Sequence, residues 1–399
     1  MDLQLLMLLS SGVLSFFAVY FLVPLLISVA YNKNLFDIPD GQRKLHDRHI
    51  PSLGGIAIFV AFICGFSISG YAEQMPGYSY VMAGLTMLFF TGLKDDLMRL
   101  SPVKKLMIQI FASGIVIIGG GLLIDNFYGL LGIGQLSGWV SIPLTLFTMI
   151  VVMNAFNLID GIDGLAGGVG ILASLFFGAG FYVAGEMPMA VFCLMTAVVL
   201  SAFLIHNFRP ASIFMGDSGS LMIGFALAVM AVRYVGLGGN TAFTDVFGNT
   251  SPVLPVVFLI IPLYDTLRVF TSRILYKLSP FTPGTDHIHH VLLRSGFSHS
   301  AAAVYLYGAM SAIAAFSMSI IFLFEAGAQL VLLSTLVLML LLFPTKGIKR
   351  EILTKTGLGE DPEPKFISKD PFISKKEYED VEESVPAPKK RRVKEVVNG

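Results

Sequence analysis

Four polar side chains recur at three-residue steps in a segment that lies between two long apolar runs. They are two amides followed by two carboxylates, Asn154, Asn157, Asp160 and Asp163. If this segment is helical, residues three apart share a face and the four side chains form one column. Because neighbouring carboxylates repel each other, a positive group should lie among them. A polar loop is the alternative, but turn chemistry does not require the paired asparagines.

Adjacent carboxylates, Asp95 and Asp96, end the third apolar run. Neighbouring residues on a helix point in different directions, so we expect one carboxylate to face a site and the other to hold a neighbouring segment. The alternative is a solvated helix end without a site.

Asp217 and Ser218 open the eighth apolar run, and both are residue types that favour the N-cap of a helix. The N–H groups of such a first turn would favour a phosphate group. A plain cap explains either residue alone. It explains less well why the preceding loop carries Asn207, Arg209 and the aromatic Phe214.

Three of the seven histidines stand together in the motif DHIHH at 286–290. Their spacing is too crowded to close a zinc tetrahedron alone. We therefore interpret them as partners for phosphate oxygens or a substrate hydroxyl. If the motif is helical, His287 and His290 lie on one side.

The ninth apolar run contains one acidic residue, Asp265. Arg268 and Arg273 follow it and are candidate partners for an ion pair. Such a pair would give Asp265 a structural role.

Carboxylate and amide ligands without thiolates select Mg2+ or Mn2+, and these ions commonly bind phosphate groups. The Walker A pattern is absent from the sequence, which argues against a P-loop NTPase. The residues therefore predict metal-assisted phosphoryl transfer, in which the metal neutralises a diphosphate and stabilises its departure.

The elements that position these residues are apolar helices. Apolar residues make up 55% of the 399 and charged residues 14%, and the mean hydropathy is +0.75. This composition predicts an all-α, polytopic integral membrane protein. Both cysteines, Cys64 and Cys193, fall inside apolar runs and are interpreted as packing residues, since the sequence has no disulfide framework or CxxC pair.

Eleven runs are long enough to predict membrane-spanning helices. The first, Leu3 to Ala30, has no Lys or Arg ahead of it and is longer than the core of a signal peptide, so we expect a retained span. The other ten lie at about 53–70, 79–93, 104–124, 139–157, 165–184, 188–206, 219–237, 252–270, 301–323 and 327–343.

Basic residues predict the orientation of these spans. The connections after odd-numbered spans carry nearly all of them, and Arg233, at a span end, is the exception. The positive-inside rule then places the N-terminus outside and the C-terminus in the cytoplasm. The polar clusters follow the same odd connections, so we expect several loops to form one shared site at the cytoplasmic face.

The predicted domain organisation is a transmembrane domain at 1–345 and a cytoplasmic tail at 346–399. The tail is charged and contains proline, which is typical of disordered segments. Its basic run, PKKRRVK at 388–394, resembles a nuclear localisation sequence, but after eleven spans a solvated or lipid-facing segment is the better interpretation.

Four motifs, in this order and on one predicted face, resemble those of the polyprenyl-phosphate N-acetylhexosamine-1-phosphate transferases. They are Asp95-Asp96, NAFNLIDGIDGL, MGDSGS and DHIHH. The HIHH form and the eleven spans are similar to the WecA/TagO branch, the undecaprenyl-phosphate GlcNAc-1-phosphate transferases. The other main branch, MraY, has three successive histidines. The resemblance covers residues 1 to about 345.

The resemblance implies transfer of GlcNAc-1-phosphate from UDP-GlcNAc to undecaprenyl phosphate with release of UMP. This would be the first membrane step of a cell-envelope polysaccharide pathway, such as lipopolysaccharide or teichoic acid synthesis, in a bacterial inner membrane. Mg2+ would be the cofactor, with Mn2+ as a substitute. The implied partners are UDP-GlcNAc, undecaprenyl phosphate and membrane lipid, with no nucleic acid, and a homodimer is kept as an option.

The resemblance also implies roles for individual residues. Asp217 and Asn157 would hold the metal, and Asp95 would contact or deprotonate the lipid phosphate. The candidate catalytic residues are Asp95, Asp96, Asp160, Asp163, His287 and His290. The candidate substrate-binding residues are Arg43, Lys44, Asn154, Asn207, Phe214, His289 and Arg273, with Phe214 stacking on uracil.

Other functions are kept as alternatives. The same reaction with another UDP-N-acetylhexosamine is the nearest. An ion-coupled transporter also uses intramembrane carboxylates, but places them near the midplane and shows inverted repeats, which we do not find. A CDP-alcohol phosphotransferase has Asp-Gly pairs but expects Ala-Arg after the first, where this chain has Ile162-Asp163.

Overall fold

A computed structural model of the chain describes residues 3–33, 50–275, 286–324 and 327–342. These residues form helices joined by short loops, and their one β pairing is an isolated bridge between Asn126 and Gln135. Helices are expected of apolar runs because lipid offers no partner for backbone N–H and C=O groups. The all-α fold class is confirmed.

The helices of the described residues are α1 Leu3–Lys33, α2 Gly54–Ile68, α3 Tyr78–Met98, α4 Pro102–Gly114, α5 Gly138–Ile159, α6 Leu165–Val183, α7 Met187–Asn207, α8 Gly216–Val235, α9 Thr241–Phe247, α10 Leu254–Phe258, α11 Ile260–Leu275, α12 Ile288–Arg294, α13 His299–Phe324 and α14 Ala328–Leu342. A π-helical turn, Ile115–Gly119, extends α4.

Seven helices of the described residues are long and apolar enough to cross a membrane. They are α1, α4 with its π-turn, α5, α6, α7, α8 and α13. The chain is therefore a multi-pass membrane protein. Each of the eleven predicted runs coincides with a helix or a helix pair, but the count of eleven spans is not confirmed.

The ninth predicted run is interrupted. It forms α10 and α11, which are separated at Leu259. Pro262 has no N–H to donate to the carbonyl of Phe258, four residues earlier, so a continuous helix would lack that hydrogen bond. After the break, α11 carries Asp265 and Arg273, which contact the histidine motif.

The central helix is α8, and nearly all of its residues are buried. Its first turn lies directly against α2 and α3, because glycines remove the side chains between them. A Cβ at Gly55 would overlap the backbone of Gly219, and a Cβ at Gly92 would overlap the backbone of Asp217. These contacts bring the end of α3 and the start of α8 together.

The segment before α8 is also fixed to the start of α2. The Phe214 N–H donates to the Pro51 carbonyl at 2.9 Å, and the N–H groups of Gly54 and Gly55 donate to the carbonyls of Phe214 and Met215 at 3.0 and 2.9 Å. These bonds satisfy the first N–H groups of α2, which have no partner within their own helix. The loop that carries Phe214 is therefore held rigidly beside Asp217.

Two sets of predictions lie outside the described residues. Arg43 and Lys44 fall in 34–49, and the charged tail falls after 342. The division into a transmembrane domain and a tail stays a prediction.

Candidate active site

The ends of α3, α5 and α8 meet at one polar end of the bundle, together with the first turn of α4. We call Asp95, Asp217, Asn157 and Lys105 the acidic cluster. The Lys105 ammonium lies 3.1 Å from Asp95 Oδ2 and 2.8 Å from Asp217 Oδ1. The sequence predicted a positive group beside Asp160 and Asp163, but Lys105 lies between two other carboxylates, Asp95 and Asp217.

Asn157, in the last turn of α5, completes this cluster. Its side-chain N–H group donates to Asp217 Oδ1 at 2.5 Å and to Ser220 Oγ at 2.6 Å. Asp95 is held from its own loop, because its Oδ1 accepts a hydrogen bond from the Leu100 N–H. Each member therefore has a second support besides Lys105.

Asp96 faces away from Lys105 and holds the start of α8. Its Oδ1 accepts from the Asp217 N–H at 2.7 Å and its Oδ2 from the Ser218 N–H at 3.0 Å. The prediction that one carboxylate of the pair holds a neighbouring segment is confirmed. The N–H groups that we expected to favour a phosphate are occupied by this carboxylate, so Asp96 supplies the anion at the helix start.

The predicted column of four polar side chains is wrong beyond Asn157. Helix α5 ends at Ile159, and Asp160 has already left helical geometry, with ψ at 49°. Asn154 points elsewhere: it forms a reciprocal amide pair with Gln109 of α4, with N···O distances of 3.0 and 3.4 Å. Its predicted role in substrate binding stays untested, and its visible role is to join α4 to α5.

The loop at 160–164 carries the two remaining carboxylates. Desolvation, together with the charges of Asp217 and Asp96, raises the pKa of Asp160 to about 7. Asp163 is buried, with Oδ2 at 3.4 Å from the Ala211 N–H and Oδ1 at 3.6 Å from His299 Nδ1. Asp160 therefore lies beside the acidic cluster, whereas Asp163 ties this loop to the loop before α8 and to α13.

Asn207 makes a second tie between these loops. It is buried, accepts from the Gly164 N–H at 3.0 Å and donates to the Ile213 carbonyl at 2.8 Å. Gly164 itself has a φ of 80°, which favours glycine, and its carbonyl accepts from the Tyr307 hydroxyl at 2.5 Å. Asn207 thus joins the loop at 160–164 to the loop before α8.

A second group of residues forms around the DHIHH motif. We call Asp265, Arg268, His287, His289 and His290 the histidine cluster. Asp265 is fully buried and accepts from His287 Nδ1 at 2.9 Å, from the Ile288 N–H at 2.7 Å and from Arg268 Nη2 at 2.9 Å. The predicted pair with Arg268 is confirmed, and the same carboxylate holds the start of α12.

Arg273 supports the motif from the other side. It binds Asp286 Oδ2 through Nε at 3.1 Å and Nη2 at 2.9 Å, and it is buried. Such a bidentate pair fixes both groups. The predicted role of Arg273 in substrate binding stays untested, and its position is that of a support for Asp286.

The two clusters are joined through Gly161. A Cβ at Gly161 would overlap the His289 ring, so this ring lies directly on the backbone that follows Asp160. The rings of His289 and His290 are 4.2 Å apart between centroids. The predicted convergence of several loops therefore extends from the acidic cluster to all three histidines.

Two of the three histidines, His289 and His290, are neutral near pH 7. Burial, with His290 as a further cause, lowers the pKa of His289 to about 3, and burial also lowers the pKa of His290. Within 3–33, 50–275, 286–324 and 327–342, no three His, Cys, Asp or Glu side chains form a metal-binding group. His289 and His290 can therefore act as neutral hydrogen-bonding groups.

The acidic cluster has the donor set for a hard divalent cation. Asp95 and Asp217, from two helices, share the Lys105 ammonium, and Asn157, from a third helix, contacts Asp217. Oxygen ligands of this kind suit Mg2+ or Mn2+. The residues therefore fit the metal that the sequence predicted.

Sequence reasoning missed several residues of the site. Lys105 was counted only as a basic residue of a loop, although its place in the first turn after Pro102 put it at the polar end of a span. Ser220 stood in the MGDSGS motif without a role. Gln109 and His299 carried no local signal, because their partners lie 45 and more than 130 residues away in the chain.

These features define a multi-pass membrane enzyme with an acidic and a histidine cluster at one end of its helices. The model of the glycosyl transferase family 4 matches residues 78–235. A probable undecaprenyl-phosphate N-acetylglucosaminyl 1-phosphate transferase of Bacillus subtilis (strain 168) is 32% identical over 307 residues, or 76% of this chain and 82% of the relative.

Two further relatives match over similar lengths. An undecaprenyl-phosphate alpha-N-acetylglucosaminyl 1-phosphate transferase of Escherichia coli (strain K12) is 30% identical over 284 residues, or 69% of this chain and 74% of the relative. A decaprenyl-phosphate N-acetylglucosaminephosphotransferase of Mycobacterium tuberculosis is 32% identical over 325 residues, or 75% and 78%. The chain belongs to glycosyl transferase family 4 and is a phosphotransferase, which confirms the resemblance drawn from the four motifs.

Proposed function

We propose that this chain transfers GlcNAc-1-phosphate from UDP-GlcNAc to undecaprenyl phosphate and releases UMP. The observation that carries this proposal is the meeting of Asp95, Asn157 and Asp217 at one polar end of the bundle, with Lys105 between the two carboxylates, in a chain whose relatives are named for this chemistry. The same reaction on another UDP-N-acetylhexosamine is the second candidate.

We propose Mg2+ as the cofactor, with Mn2+ as a substitute. Asp217 and Asn157 would hold it, because these two side chains come from different helices and are in direct contact. When bound, the metal would neutralise charge on the donor diphosphate and so favour the departure of UMP.

The main barrier that this chain must lower is the approach of two anions. A phosphate monoester is largely ionised at neutral pH and needs little deprotonation to act as a nucleophile. Lys105 supplies positive charge where the acceptor phosphate and the diphosphate would meet. We assign Asp95, which contacts Lys105, to the acceptor phosphate. That phosphate would attack the donor directly, without a covalent intermediate.

The histidine cluster would serve the donor. His289 and His290 are neutral, so they can donate one hydrogen bond each to phosphate or sugar oxygens without adding charge. Phe214, held beside Asp217, supplies a flat face for uracil. Asp160, next to both clusters, would accept a hydrogen bond from a hydroxyl of the UDP-sugar when ionised. Asp163 and Asn207 would hold the loop at 160–164 against the loop before α8.

The test uses purified full-length protein in detergent with Mg2+, undecaprenyl phosphate and one donor at a time, and measures UMP release. We expect turnover with UDP-GlcNAc and little with UDP-GalNAc or UDP-MurNAc-pentapeptide. Turnover with UDP-GalNAc alone would transfer the assignment to the second candidate. Decaprenyl phosphate, run in parallel, tests how much the acceptor length matters.

Two further experiments test the finer points. A phosphosugar trapped on Asp95 or Asp96 without acceptor would contradict direct attack. For location, we propose a bacterial inner membrane with the polar end at the cytoplasm, the N-terminus outside and the C-terminus inside. Labelling of single cysteines at Ser101 and Ser137 from each side of the membrane tests this orientation, and the mass of the purified particle tests the homodimer option.

A further inference from the structure

The position of Lys105 has a consequence for the metal. Its ammonium lies 2.8 Å from Asp217 Oδ1 and 3.1 Å from Asp95 Oδ2, the oxygens that would face a bound cation. Only 16% of the Lys105 side chain is exposed, so the ammonium is enclosed between the two carboxylates. A divalent cation and an ammonium ion within this space would repel each other strongly.

We propose that Lys105 is a built-in competitor of the divalent metal. It neutralises the two carboxylates when no metal is present, and metal binding requires its ammonium to leave them. The inference rests on the proposed function only in taking Asp217 as a metal ligand. It adds a residue that sets metal affinity and a change that accompanies metal binding.

The cluster is built so that the lysine can move alone. Asp95 stays fixed by the Leu100 N–H, and Asp217 stays fixed by the Asn157 amide. Asp96 holds the backbone at Asp217 and Ser218. None of these bonds involves Lys105, so the two carboxylates keep their positions when the flexible side chain swings away.

The ammonium that is released stays near the reacting groups. Lys105 is anchored in the first turn of α4, beside the end of α3. A lysine side chain is long and its ammonium is a compact point charge, which suits an exchange of partners from carboxylate to phosphate oxygen. We therefore expect Lys105 to weaken metal binding and yet to assist turnover.

This combination separates the proposal from a static ion pair. If Lys105 merely holds Asp95 and Asp217 in place, its loss should weaken both metal binding and turnover. If Lys105 competes with the metal, its loss should tighten metal binding while turnover falls. The two readouts then move in opposite directions.

The experiment measures Mn2+ binding to the purified full-length protein by electron paramagnetic resonance, with Mg2+ as competitor. We expect Lys105→Met to bind Mn2+ about tenfold more tightly than the unaltered protein. Its melting temperature should be lower in EDTA and should rise more on adding Mg2+, because uncompensated carboxylates destabilise the metal-free protein. At saturating Mg2+, UMP release should fall about tenfold or more.

Two other variants complete the design. Lys104→Met removes the neighbouring exposed lysine and should bind Mn2+ as the unaltered protein does. Lys105→Gln keeps a polar side chain and replaces Lys105→Met if that variant fails to fold. Unchanged or weaker Mn2+ affinity in the folded Lys105 variants, with normal binding to the unaltered protein, would overturn the competition. Failure of both proteins to bind Mn2+ would instead remove the metal from the proposed function.

Discussion

The acidic cluster and the histidine cluster use different means to hold charged groups in place. The carboxylates of the acidic cluster come from helices that are distant in the chain, and the one basic side chain between them has a flexible stem. In the histidine cluster, one fully buried carboxylate binds a ring, a backbone N–H and an arginine. The first arrangement can exchange its cation, whereas the second is fixed.

This difference follows from how each cluster is buried. Asp217 is 29% exposed on its side chain, so water and ions can reach it, whereas Asp265 is 0% exposed. A buried charge that loses its partner is strongly destabilising, and an exposed one is much less so. Substitutions in the two clusters should therefore separate chemistry from stability.

The largest expected effect on chemistry is that of Asp217→Asn. It removes one carboxylate charge from the acidic cluster but keeps a side chain of the same size. We expect UMP release at saturating Mg2+ to fall about 1,000-fold or more, because a metal ligand and its charge are lost. The melting temperature in EDTA should change little, since Asp217 is partly exposed.

The matched control is Asp245→Asn, which removes an exposed carboxylate from α9. It should leave both measurements unchanged. Normal turnover of Asp217→Asn at saturating metal would show that the acidic cluster is not the metal site.

Asp265→Asn should lower stability more than Asp217→Asn does, and turnover less. The loss of its charge leaves Arg268 without its carboxylate partner and weakens the bond to His287. Removing one partner of a buried pair costs about 3–5 kcal/mol, which corresponds to a fall in melting temperature of roughly 10 °C. Turnover of the protein that stays folded should fall about 100-fold, because α12 and its histidines lose their support.

Thermal unfolding and UMP release on the same samples test this expectation. Asp265→Glu keeps the charge and should recover part of the stability. An Asp265→Asn protein that melts at the normal temperature would contradict the idea that the histidine cluster is the fixed one.

The contact between the clusters can be tested at Gly161. A Cβ there would overlap His289, so Gly161→Ala must displace the ring. We expect turnover to fall about tenfold, in line with a small misplacement of a binding group. In a His289→Ala background, the same glycine substitution should have little further effect, because the overlapping ring is gone.

Gly114→Ala is the control for this pair, since a Cβ at Gly114 meets nothing within 4 Å. It should leave turnover unchanged and stabilise α4 slightly. Additive losses from Gly161→Ala and His289→Ala would show that the two clusters act independently.

The sequence predicted the helices and the residue types of the site better than it predicted their partners. Apolar length and charge sufficed to place the runs, and the polar clusters that follow the odd ones do converge. The column through Asn154 and Asp160 failed because local spacing cannot show where a helix ends against its neighbours. The partners of Lys105 could not be assigned, since they are set by tertiary packing between distant helices, whereas the Asp265–Arg268 pair could, because it lies within one helix.

The smallest expected effect concerns Asp160, which lies between the two clusters. Its pKa is raised to about 7 in the folded protein, above the ordinary value of 3.8. Between these two pH values the unfolded chain binds fewer protons at this residue than the folded protein does, so stability falls as pH rises. Asp160→Asn removes this titration and should raise the melting temperature in EDTA by about 2–4 °C at pH 8. At pH 5 the gain should be smaller, because the folded protein then keeps Asp160 protonated. A gain in melting temperature that is equal at both pH values would show that burial and the charges of Asp217 and Asp96 do not disfavour the ionised form of Asp160.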